Sequence, residues 1–154
     1  MARNAKPQLD IDARYRTLLI LWIAQLMSIG VLYLVGTFFS PAPSTQSLSP
    51  PSALTFAFAA VAMILVILSF VVKGKLLARS VQEQKVELVQ NALIVACAMC
   101  EGSALLGLVE RFVARNSDYN LFFLLAVVGI ALHFPKREQL LSATYKSTSQ
   151  ESIR

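Results

Sequence analysis

Glu101 stands near the middle of LVQNALIVACAMCEGSALLGLV, a run over residues 88–109 that holds no other charge. An ionisable side chain inside such a run is rare and costly if lipid surrounds it. Its carboxyl group is expected to keep its proton unless a cation or several donors stabilise the charge. Three kinds of chemistry are then open: exchange of a proton or cation, orientation of a ligand in a cavity, or hydrogen bonding to a neighbouring helix. For the last, Gln25 and Ser28 lie at about the same depth of the first apolar run, with Tyr33 further out.

Cys97 and Cys100 are the only cysteines and form a C-x-x-C pair. On a helix that spacing brings both sulfurs to one face, which makes them redox candidates. Against this, a thiolate is disfavoured in apolar surroundings, and buried cysteine commonly acts as a small apolar filler. Four-helix membrane thiol oxidoreductases resemble this chain in size, but they relay oxidation through a second cysteine pair that it does not have. With both cysteines inside an apolar run, a secreted disulfide framework is excluded.

His133 is the only histidine and is expected at an interface beside Pro135, Lys136 and Arg137. One histidine cannot supply both ligands of a bis-histidine haem, and no Cys/His spacing suits a metal site, so neither metal nor cofactor is expected. There is no phosphate-binding glycine loop, no nucleophile elbow and no paired polar-face carboxylates. These residues do not predict an enzyme.

Small residues surround Glu101. Ala96, Cys100 and Ala104 recur every four positions, and Ser103 and Gly107 repeat the interval. Small-xxx-small spacing lets helix backbones approach closely, which predicts a packing seam. The stretch Glu101-Gly102-Ser103-Ala104-Leu105-Leu106-Gly107-Leu108-Val109 also resembles the carboxylate helix of the proteolipid c subunits of rotary ATPases. That resemblance implies a proton-carrying role for Glu101, with Gly107 matching the later glycine. The chain departs from that family in lacking a glycine-rich partner helix and in carrying the acid on its third apolar run.

The elements that must position these residues follow from composition. Hydrophobic residues make up 56% of the 154 residues and charged ones 15%, against about 45–50% and about 25% in soluble domains. A chain this short cannot hide that excess in a core, so lipid is the expected solvent. Residues 17–39, 53–72, 88–109 and 119–134 are the expected spans, the last stopped by Pro135. The first run exceeds a signal peptide's apolar stretch and no A-x-A site follows it, which predicts a retained helix.

Residues 40–52, SPAPSTQSLSPPS, hold four of the six prolines and predict an extended connector. Residues 73–87 read as a solvated turn, although Leu76, Leu77 and Val81 would also suit a short interfacial helix. Residues 110–118 read as a short loop, and 135–154 as a polar, fraying tail. The third run is the least apolar. Its nine Leu, Ile and Val residues favour insertion by about 3–5 kcal/mol at best, and one mid-helix acid opposes it by about 2.5–3.5. It therefore needs protein neighbours.

Of the fourteen Lys and Arg residues, four lie in each of 1–16, 73–87 and 135–154, none in 40–52, and two, Arg111 and Arg115, in 110–118. The positive-inside rule then predicts cytoplasmic termini. The net charge of +5 is spread along membrane flanks, with no aromatic-basic stripe, so anionic lipid and not nucleic acid is its expected partner. The expected fold is all-α, a four-helix transmembrane bundle of one domain with both termini cytoplasmic. It is expected to associate as a homo-oligomer or within a larger membrane complex through the third helix. The leading functional expectation is a non-enzymatic accessory or structural subunit of a membrane complex. The first alternative is a proton- or cation-translocating protein using Glu101, and the second a thiol oxidoreductase using Cys97 and Cys100.

Overall fold

The computed structural model describes residues 5–39, 53–113 and 119–144, with side chains for 11–39, 53–113 and 119–143. The described residues form five helices and no strand: α1 (Ala5–Phe38), α2 (Ala53–Glu83), α3 (Glu87–Val113), α4 (Tyr119–Leu132) and α5 (Arg137–Thr144). Three of them, α1, α2 and α3, are long and apolar enough to cross a membrane, and the count is four if the bent pair α4–α5 forms one span. Large apolar side chains such as Ile20, Met27, Phe56, Leu121 and Leu124 are turned outward along these helices. A surface of that kind suits hydrocarbon and not water.

The expected need of α3 for neighbours has a structural counterpart. Among the described residues eleven are buried on α3, against five on α2 and six on α4. The helix with the weakest claim on lipid is thus the one enclosed by the other three. Its small residues make this possible. Ala96, Cys100, Ser103, Ala104 and Gly107 are all buried, and a methyl group at Gly107 would stand 2.6 Å from Phe122 Cβ and 3.1 Å from the Tyr119 carbonyl oxygen. At Ser103 and Gly107 the expected packing seam meets this chain's own α4.

Helix boundaries differ from the expected ones mostly at the charged end. Helix α1 starts at Ala5 and not at residue 17, and its 34 residues extend over about 51 Å, well beyond a hydrocarbon core of about 30 Å. The expected turn at 73–87 is largely helix. Helix α2 runs on from Lys73 to Glu83, and the reversal is confined to Gln84–Val86, with Gln84 in the left-handed region at φ 52°. Lys75 and Arg79 are exposed on the helix surface, while Leu77 packs on the core and Ser80 is buried. Arg79 and Lys85 both pair with Glu83, Lys85 at 2.9 Å. Their bonds, that of Arg79 above all, hold this exposed carboxyl below the usual carboxylate range.

The start of the expected fraying tail is also ordered. Pro135 cannot continue α4, whose last turn tightens through His133 N donating to Ile130 O at 2.9 Å and Phe134 N to Ala131 O at 3.2 Å. Helix α5 then departs at 52°. It buries Leu140 and Ala143 against the bundle, and Arg137 meets Asp12 of α1 at 2.5 Å. Isolated polarity suggested fraying; two apolar residues three apart supply the docking face. With only 14 residues, or about 21 Å, α4 falls short of a full span by itself. The proline-serine connector lies outside the described residues.

Candidate functional site

Helices α1 and α3 bring Glu101, Gln25 and Ser28 together. The Gln25 amide abuts both carboxyl oxygens of Glu101; with its nitrogen turned inward it donates to Oε1 and, at 3.1 Å, to Oε2. Ser28 adds a side-chain hydrogen bond to the same carboxyl. Gln25 and Ser28 are three residues apart, so both point from one face of α1. All three are half-buried.

Glu101 is placed beside the small-residue seam and not on it. The outward stripe of α3 passes through Val95, Ala98, Leu105 and Val109. Glu101 falls between Ala98 and Leu105 along that stripe, turned toward α1. Such a position can hold a neutral acid that donates to the Gln25 carbonyl oxygen, or an ion that accepts from the Gln25 amide and the Ser28 hydroxyl. Tyr33 is not in this cluster. Its ring faces the N-terminal half of α4, stacked on Tyr119 at 6.2 Å and edge-on to Phe123 at 5.3 Å.

Cys97 and Cys100 are free thiols, and both are buried. Cys100 faces α2 and α4: its Sγ donates to Ser69 Oγ at 3.6 Å, and a methyl group at Gly129 would stand 2.8 Å from the sulfur. Thiol access is therefore closed by close-packed protein.

His133, expected beside Pro135, Lys136 and Arg137 at an interface, is fully enclosed by the described residues. Its Nδ1 lies 2.7 Å from Gly129 O and its Nε2 3.2 Å from Ser69 Oγ. The Phe70 ring lies 4.3 Å away, tilted by 51°. Lys73 donates to the His133 main-chain oxygen at 3.0 Å. Pro135 bends the chain just after His133, which turns the imidazole into the bundle.

Ser69 and Lys73 are thus members of a polar cluster that reading the chain segment by segment missed. The available signal was that Ser69 is the sole polar residue between Thr55 and Lys73, four positions from the latter. That interval sets both side chains on one face of α2.

At the far end, residues 110 and 111 belong to α3 and not to a loop. Glu110 is fully enclosed, with no hydrogen-bond partner for either carboxyl oxygen among the described residues. Arg111 lies over the Tyr119 ring at 5.0 Å, a cation–π contact. Tyr119 belongs to the buried core and Trp22, partly buried, packs against it. Trp22 Nε1 donates to Ile130 O at 2.8 Å.

No grouping of three or more His, Cys, Asp or Glu suited to a metal ion occurs among the described residues. A groove of about 520 Å³ between α2 and α4 is apolar apart from Thr55 and brings no titratable group to either cluster. The class that fold and clusters define is an all-α protein with three to four helices apolar enough to span a membrane. Compared with family models, curated proteins and solved structures, the chain matches none.

Proposed function

We propose that this protein is a non-enzymatic, multi-pass membrane protein that serves as an accessory or structural subunit, with both termini cytoplasmic. The observation that carries this reading is the pairing of Glu101 with Gln25 and Ser28. The acid at membrane depth is held by two side chains of one adjoining helix, an arrangement that locks α1 to α3. Orientation rests on the twelve-to-two division of Lys and Arg between the two sets of flanks.

Proteoliposomes test the role of the acid. Wild type, Glu101→Gln and protein-free vesicles are expected to show equal proton permeability, whereas Glu101→Leu is expected to loosen α1. Proton flux present in wild type and absent in Glu101→Gln would overturn the structural reading. A tag within residues 40–52 and one at the carboxyl terminus are expected in opposite compartments.

A second reading, proton or cation handling at Glu101, is favoured by one observation. Glu101 is only half-buried, at the edge of the outward stripe of α3. The same flux measurement separates the two readings.

A further inference from the structure

Two apolar stretches of this chain end in lysines that the fold sets beside each other. Residues 53–72 of α2 carry no charge and stop at Lys73, and residues 119–135 carry no Asp, Glu, Lys or Arg and stop at Lys136. Lys73 Nζ donates to the His133 main-chain oxygen at 3.0 Å, which ties the two ends together, and the charge of Lys136 bears on it there. Both lysines therefore mark one level, where hydrocarbon gives way to headgroups. Like charges this close oppose each other, and more strongly beside lipid than in open water.

Elsewhere at this end the chain supplies carboxylates. Glu83 takes Arg79 and Lys85, and Asp12 takes Arg137. Among the described residues no Asp or Glu pairs with Lys73 or Lys136. The Lys73 ammonium has three donors, of which the His133 oxygen takes one. At Gly74 an added side-chain carbon would meet nothing within 4 Å, so protein does not cover the surface next to Lys73.

The apolar neighbours separate a lipid from a free anion. Phe70, one turn before Lys73, and Phe134, two residues before Lys136, are 43% and 45% exposed. Both belong to the apolar stretches that the lysines terminate, on the hydrocarbon side of the two charges. We propose that Lys73 and Lys136 form a binding site for the phosphate of one anionic phospholipid, whose chains lie along Phe70 and Phe134. The phosphate oxygens accept from both ammonium groups and offset their repulsion. A zwitterionic lipid brings a cation of its own to the same place and gains less. The site is narrower than the attraction of a basic flank to an anionic surface, since Lys75, equally charged and exposed two positions on, takes no part. It needs the bilayer but neither the role given to Glu101 nor the orientation of the termini.

Native mass spectrometry of the full chain, released from a neutral detergent, counts bound lipids one at a time. Titrated with phosphatidylglycerol and phosphatidylcholine of equal chain length, wild type is expected to bind one phosphatidylglycerol at least about fivefold more tightly than phosphatidylcholine. Lys73→Gln and Lys136→Gln should each weaken that first adduct about fivefold, the effect of one basic residue at an anionic lipid surface. Lys75→Gln removes the same charge and should leave the adduct unchanged. Inorganic phosphate at millimolar concentration should not displace it. Equal binding of the two lipids, equal weakening by all three substitutions, or an adduct that Lys136→Gln does not weaken overturns the proposal. Displacement by inorganic phosphate also overturns it, in favour of a free-anion site. If Lys73→Gln does not fold, the comparison of Lys136→Gln with Lys75→Gln decides the matter, because both side chains are exposed.

Discussion

Trp22 and Ile130, 108 residues apart in the chain, are joined by a 2.8 Å hydrogen bond from the indole Nε1–H to the main-chain oxygen. Ile130 O also accepts from His133 N, so the tightened end of α4 offers its second lone pair to α1. The bond ties the first apolar helix to the last. Trp22→Phe keeps most of the apolar bulk and removes the donor. It is expected to lower stability by about 0.5–1.5 kcal/mol, read as an earlier midpoint in detergent-mediated unfolding.

Gly107 is expected to tolerate no side chain. A methyl group there meets Phe122 Cβ and the Tyr119 carbonyl oxygen inside van der Waals contact, and the second of these is backbone that cannot rotate away. Gly107→Ala should destabilise by about 1–3 kcal/mol, with Gly107→Val worse. The same substitution at Gly30, where nothing lies within 4 Å, is the control and should not destabilise. Thermal unfolding of the three proteins in one detergent checks this.

The link between α1 and α3 can be measured as a coupling energy. A double-mutant cycle on Gln25→Leu and Glu101→Leu is expected to give between about 0.6 and about 1.7 kcal/mol, the average and the maximum for interhelical hydrogen bonds in membranes. A value near zero would mean that the two side chains are adjacent without stabilising each other.

Both thiols are enclosed, so their labelling should report unfolding. A membrane-permeant maleimide is expected to leave Cys97 and Cys100 unmodified in the folded protein and to label both after denaturation, as counted by intact mass. Rapid labelling of the native chain would show that α2 and α4 open around Cys100.

The Asp12–Arg137 pair is the expected weak point of the charged end. Each side chain is 45% exposed, so Arg137→Gln should cost no more than about 1 kcal/mol, and less at high salt. Its effect should be local, seen as faster amide exchange in α5 with α2 and α3 unchanged. Leu140, fully enclosed, is the larger contributor, and Leu140→Ala is expected to release α5 outright.

Composition and run lengths by themselves determined that the chain is all-α with several helices suited to lipid, because span length and apolar content are properties of one segment at a time. They also brought Gln25, Ser28 and Glu101 onto one page, since depth along an apolar run can be counted from its ends. Tertiary structure alone decided which faces meet. It turned the seam of Ala96, Cys100, Ser103, Ala104 and Gly107 toward this chain's own helices, continued α2 through residues read as a turn, and gathered Ser69, Lys73 and His133 from two helices. A polar side chain carries no local mark of its partner. In a bundle the partner is set by helix rotation and crossing, and these depend on close packing between segments far apart in the chain.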